Sequence, residues 1–336
     1  MTTTPAPAPD LSAPPAKAPF DTVAFLRTWG TTLFLLLLII GFAAWNPRFL
    51  SLRNALNILT EVSIYGVIAV GMTFVILTAG VDLAVGSLLA FAAIAAAWVV
   101  QHMGGDLPQW LVALSVASAI GLAAGYAHGK TITWLKVPAF IVTLGGMTIW
   151  RGATLILNDG GPISGFDAGY RWWGTGAVLG VPVPVILFAL VALAGHVTLR
   201  YTRFGRQVYA VGGNAEAARL AGINVKAILI SVYVIVGFLA GLSGFLLSAR
   251  LGSAEAVAGI NYELRVIASV VIGGASLSGG AGNIRGTLIG ALLIGVLSNG
   301  LVIMHVSSYF QQVVIGLIIV AAVAFDAYAK SHRGKV

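Results

Sequence analysis

Few side chains in this 336-residue sequence are placed to do chemistry, and the total absence of cysteine removes disulfides, thiolate metal ligands and cysteine nucleophiles at once. The most suggestive group is Asp82, in the stretch Leu77 to Leu83 that interrupts a long apolar run. Gly80 is expected to end one helix there, and the Asp82 carboxylate to start the next by accepting from the N–H of Ala84 or Val85. Gly86 and Ser87 then let backbones approach closely. Two readings stand side by side: a cap in a tight turn, or a polar point on a pathway or its gate. Gly129-Lys130-Thr131 resembles the end of a phosphate loop, but position 124 is Ala where that loop needs Gly, and a membrane helix stands where it needs a strand. Gly280, Gly282 and Gly286 have the wrong spacing for a dinucleotide fold and read as a flexible loop. Glu61, His196 and His305 have no sequence-near partner for a metal site or a proton relay. No catalytic residue, metal or bound cofactor is therefore expected.

The elements that must hold these residues are membrane helices. The chain is 58% hydrophobic and 9% charged, where soluble domains carry about a quarter charged residues. Its net charge of +8 is dispersed between apolar runs, which excludes a nucleic-acid stripe and suits the loop charges of a membrane protein. Residues 1–28 read as a Pro/Ala-rich disordered tail with no signal-peptide pattern, residues 29–329 as the membrane domain, and 330–336 as a short basic tail. Ten apolar runs fill the domain: Trp29–Trp45, Ile58–Ala79, Leu83–Val100, Trp110–Tyr126, Val137–Leu157, Val183–Leu199, Ala227–Leu247, Leu264–Leu277, Leu288–Met304 and Val313–Ala329. Most approach the ~20 residues that a crossing needs. The eighth is short and glycine-rich, so a broken or re-entrant helix is an alternative there. With the N-terminus inside, 13 of the 19 Lys and Arg fall in inside loops, which predicts both termini in the cytoplasm. The longest outside loop, Asn158–Val181, carries Asp159, Asp167, Tyr170, Arg171, Trp172 and Trp173. Its tryptophans read first as headgroup-level anchors in lipid, then as a docking or sugar-stacking surface.

The polar stretch 200–226 falls on the inside. Within it, Asn214 caps a helix, Glu216 sits in its first turn, Arg219 in its last, and Gly222 stops it. About two turns of helix cannot stand alone in water, so this one needs something to dock on. Ala217 and Ala218 keep it thin, while Leu220 and Ile223 give it an apolar edge.

Three stretches carry a family resemblance. Thr78-Ala79-Gly80-Val81-Asp82-Leu83-Ala84-Val85-Gly86-Ser87 is the first, with Val81 and Ala84 as conservative departures. The second is Val137-Pro138-Ala139-Phe140-Ile141-Val142-Thr143-Leu144-Gly145 with Arg151-Gly152. The third runs from Arg203-Phe204-Gly205-Arg206 through Ala210-Val211-Gly212-Gly213-Asn214 to Ile223. Together with Gly273 to Thr287, they resemble the permease subunits of bacterial ABC importers of the ribose, xylose and galactose type.

The resemblance implies an all-α integral membrane permease of about ten spans in the inner (cell) membrane. It implies pairing with a second copy or a paralogue, with cytoplasmic ATPase subunits that bind the ATP and Mg, and with a periplasmic sugar-binding protein. By the same resemblance Gly213–Ile223 contains the helix that couples to the ATPase, and a charged replacement of Ala217 or Ala218 is expected to uncouple hydrolysis from uptake. Thr78, Ser87, Thr143, Ser269 and Asn299 are candidates for lining the path. The rival readings are the same kind of permease for branched-chain amino acids or a furanosyl signal, an ion-coupled carrier, and a membrane enzyme.

Overall fold

The computed structural model describes residues 22–103 and 105–331, so most of the N-terminal tail and residues 332–336 lie outside the described residues. The helices are α1 (Thr22–Trp45), α2 (Leu52–Leu77), α3 (Val85–Met103), α4 (Gln109–Trp134), α5 (Ala139–Leu157), α6 (Ala168–Thr175), α7 (Val183–Tyr201), α8 (Arg203–Gly213), α9 (Ala215–Leu220), α10 (Val225–Leu251), α11 (Tyr262–Ile272), α12 (Ile284–Ile303) and α13 (Ser308–Ser331). Two small antiparallel ladders, Ile163–Ser164 with Ser253–Ala254 and Ala177–Val178 with Val181–Pro182, tie loops together at one end. Local sequence sets several boundaries. Pro108, Pro138 and Pro182 immediately precede α4, α5 and α7, where a fixed φ starts a helix without breaking a hydrogen bond.

Helix α2 is the centre of the molecule. Every residue from Val62 to Leu77 is buried, and α7, α10, α11 and α12 pack around it. The most extensive helix pair is α4 with α10, which meet through small residues. A methyl group added at Gly121 would lie 2.2 Å from the Gly237 carbonyl oxygen, and one at Gly125 would lie 2.2 Å from that of Tyr233. Only glycine permits this approach, in which dispersion between backbones replaces side-chain interlocking.

Among the described residues, seven helices are long and apolar enough to cross a membrane: α2, α3, α4, α5, α7, α10 and α12. Shorter apolar stretches, Trp29–Trp45 and Tyr309–Ile318, lie within α1 and α13. The eighth apolar run does not hold one membrane-length helix, as its broken-helix alternative allows. Its helix, α11, has 11 residues and reaches about 16 Å, roughly half the hydrocarbon thickness. The preceding segment 252–261 is largely irregular, and Arg151 donates to its carbonyls at Ala256 (2.6 Å) and Ala258 (3.0 Å).

Two further expectations are corrected. The outside loop is partly helical, because Asp167 caps α6 by accepting from Tyr170 N–H. Trp173 there packs on Trp110 and Phe245 inside the protein, so of the two tryptophans Trp172 alone stays exposed. At the α2–α3 break the left-handed residue is Ala79 (φ 60°), not Gly80, and α2 already ends at Leu77. Gly80 is small for a different reason: a methyl group on it would meet the Tyr233 hydroxyl at 2.7 Å.

Candidate functional site

The polar segments converge at the end of the molecule where α2 terminates. Helix α8 was absent from the sequence reading, which treated Arg203 to Gly213 as plain polar chain. It begins at a Thr202 cap whose hydroxyl accepts from Gly205 N–H (3.1 Å). Its ring at Phe204 stacks on Phe74 of α2, and the Tyr209 hydroxyl donates to the Gly282 carbonyl (2.7 Å). Gly212 lies so close to the end of α2 that an added methyl group would overlap the Leu77 carbonyl oxygen. Gly280 N–H donates to that same oxygen at 2.9 Å. Thus α8, the turn at Thr78 and the segment before α12 form one block through direct backbone contact.

Helix α9 is mounted on this block. Asn214 Oδ1 accepts from Ala217 N–H (2.9 Å), and Gly222 takes φ 84° just beyond the last turn. The helix itself is six residues, shorter than two turns. Its faces differ. Ala218 is buried against the chain, whereas Gly213, Glu216, Ala217, Arg219, Leu220 and Gly222 are exposed and Ile223 is half-buried. Glu216 accepts from Arg219 Nε (3.0 Å) and Nη2 (2.5 Å). These hydrogen bonds, and then the guanidinium charge, hold the Glu216 carboxyl below its ordinary range and raise Arg219 in turn.

The Asp82 turn lies deeper, and Asp82 itself is fully buried. Asp82 Oδ1 accepts from Ala84 N–H at 2.8 Å, as a helix cap does. The Val81 carbonyl accepts from Tyr233 Oη (3.2 Å) and Thr143 Oγ1 (3.3 Å), which pins the turn to α10 and α5. Asp82 Oδ2 faces His128 Nδ1 of α4 at 3.6 Å, and neither atom has a hydrogen-bond partner among the described residues. His128 Nε2 accepts from Trp150 Nε1 (3.3 Å), so the ring's proton belongs on Nδ1, toward the carboxylate. Gly86 begins α3 against the Gly259 backbone, where a methyl group would lie 2.3 Å from its carbonyl oxygen.

His128 is a residue that sequence reasoning missed, since it stands beside the Gly129-Lys130-Thr131 stretch that fails as a phosphate loop. Its mid-helix position between Gly125 and Gly129 was the available signal. The other named side chains are dispersed. Thr78 bonds the Val75 carbonyl, Ser87 that of Ala84, and Ser269 that of Arg265, all buried. Asn299 is buried near the opposite end of α2, where Asn54 donates to it (3.0 Å).

Known proteins resemble the chain over nearly its whole length. Residues 54–323 match the family described as branched-chain amino acid transport system / permease component. The ribose import permease protein of Escherichia coli (strain K12) is 46% identical over 311 residues, covering 91% of this chain and 96% of the relative. That of Haemophilus influenzae is 44% identical over 318 residues, covering 94% and 97%. The D-allose transport system permease protein of Escherichia coli (strain K12) is 39% identical over 311 residues, covering 92% and 94%.

Proposed function

Since this chain belongs to the family of branched-chain amino acid transport system / permease components, we propose that it forms the membrane path of an ATP-driven sugar importer. It is a multi-pass protein of the bacterial inner (cell) membrane and the non-enzymatic subunit of its transporter. A separate ATPase supplies hydrolysis, with ATP and Mg on that partner, and a periplasmic binding protein delivers a monosaccharide. Ten crossings, with α11 and its preceding segment together making one, leave both termini and α8–α9 in the cytoplasm. Two permeases, identical or paralogous, enclose the path.

The observation that carries this reading is the backbone block beneath α9. A push on Leu220 and Ala217 is delivered through α8 to the end of α2 and the segment before α12, since these parts touch without intervening flexible side chains. Domain closure in the ATPase then moves the turn that holds Asp82 and opens the path outward, the gating expected of alternating access. Thr78, Ser87, Thr143, Ser269 and Asn299 are the small polar groups available to line it as helices part.

Reconstitution with the ATPase and binding protein tests this. Radiolabelled ribose is expected to accumulate only with ATP and binding protein present, and to persist after the proton gradient is collapsed. Accumulation of leucine but not of ribose or allose would shift the substrate to branched-chain amino acids, as the family description allows. Uptake driven by an ion gradient without ATP would overturn the class.

A further inference from the structure

The end of α2 opposite α9 bears a polar seam of which only Asn54 has been placed so far. A cavity of about 590 Å³ is lined there by Arg48, Ser51, Arg53, Asn54, Asn57 and Thr60, together with two apolar side chains. Arg53, Asn57, Thr60 and Glu61 follow the i, i+4, i+7, i+8 spacing of one helix face. Glu61 lies about 14 Å along the axis from Leu52, where the helix is entering its fully buried stretch. Across from it, at the start of α11, Arg265 Nη1 stands 3.4 Å from Glu61 Oε1, and the two side chains remain 25% and 33% exposed respectively.

A lipid-facing surface does not carry such a row. A carboxylate or guanidinium in hydrocarbon costs several kcal/mol, so intramembrane charges face protein or water. The truly apolar outer surface lies elsewhere, on Ile141, Ile149 and Ile156 of α5 and on Leu190 and Leu193 of α7, all exposed. The ion pair is also longer than the ~2.7–2.9 Å of a close charge-assisted bond. Among the described residues Glu61 makes no other side-chain hydrogen bond, nor does Arg265. A carboxylate with a free oxygen and a guanidinium with unused N–H groups can exchange with hydroxyls at little cost.

We propose that this face of α2 and the start of α11 form the outer leg of the translocation path, with Glu61 and Arg265 as the constriction whose bonds a neutral polyhydroxylated sugar replaces as it passes. The assignment rests on the sugar-permease reading. Asn57 and Thr60 offer donors and acceptors without net charge above the constriction, which suits a solute that must be held weakly and released.

The absence of native cysteine makes the test direct. In the full complex with ATPase and binding protein, single Asn57→Cys and Thr60→Cys variants are treated from outside with a membrane-impermeant cationic methanethiosulfonate. Leu193→Cys serves as the lipid-facing reference. Because the reagent needs a hydrated thiolate, positions 57 and 60 should react about tenfold or more faster than 193, and their modification should block ribose uptake. Glu61→Gln and Arg265→Gln should each change the ratio of ribose to allose uptake while the complex elutes intact. Labelling at 57 and 60 no faster than at 193 would overturn the proposal, as would fast labelling that leaves uptake intact or an unchanged sugar ratio in both charge variants. If the unmodified complex transports no sugar, the substrate reading fails instead, and the labelling rates still report whether the seam is open to water.

Discussion

Leu220 offers the sharpest test of the proposed docking of α9. The side chain is 75% exposed on a six-residue helix otherwise surfaced by small and charged groups. Full burial of a leucine contributes about 1.5–3 kcal/mol. Three quarters of that surface is still available, so docking can gain about 1–2 kcal/mol from this one residue. Leu220→Ala should therefore weaken ATPase binding roughly 5- to 30-fold for each permease. The helix itself should persist, because alanine favours it, the Asn214 cap is untouched, and the Glu216–Arg219 pair points elsewhere. Titrating the ATPase onto the permease in lipid nanodiscs reads the affinity, and thermal unfolding of the permease alone reads its integrity. Unchanged affinity in an intact variant would refute the docking assignment. Loss of affinity accompanied by a lower melting temperature would mean that Leu220 supports the fold instead.

The two alanines beside it should separate. Ala217→Glu should leave the melting temperature unchanged and uncouple ATP hydrolysis from uptake, whereas Ala218→Glu, which drives a charge into the chain's own packing, should lower the melting temperature. Asp82→Ala strands the buried Ala84 N–H and should destabilise the protein by about 1–3 kcal/mol; Asp82→Asn, whose carbonyl can still accept, should cost less, as thermal unfolding would show. Gly125→Ala should cost about 1–3 kcal/mol by forcing α4 away from α10, while Gly145→Ala, with nothing within 4 Å of an added methyl group, should be neutral in the same assay. Because its partner depresses the Glu216 carboxyl, the pair is present above the ordinary glutamate range and is lost only as pH falls through the lowered value; chemical-shift titration of Glu216 should show the depression, and Arg219→Gln should abolish it.

What could be read from residue order alone was the local chemistry. Asn214 and Gly222 mark the ends of α9 because caps act within a few residues, and the break between α2 and α3 shows as Gly80 and Asp82 inside an apolar run too long for one span. The length of α11 was harder, since an apolar run does not reveal where its helix stops. Ala79 adopts the left-handed turn although a glycine stands beside it, because Gly80 is needed against Tyr233. The contacts of Asp82 with His128 and of Glu61 with Arg265 join distant parts of the chain, and neither partner's identity is written near the other. Which alanine of α9 faces inward was equally invisible, since a helix this short has no periodic pattern to orient it.

The glycine contact between α4 and α10 has a mechanical consequence. Two helices whose backbones touch at Gly121, Gly125 and Gly237 have no side-chain rotamers to take up slack, so they resist sliding by fractions of a turn. They travel together as a chassis. Helix α10 begins a short turn after α9, and α4 carries His128 against the Asp82 turn. A displacement entering at the α9 end would thus reach the buried carboxylate as rigid translation, leaving compliance to the segment 252–261 and the half-length helix that follows it.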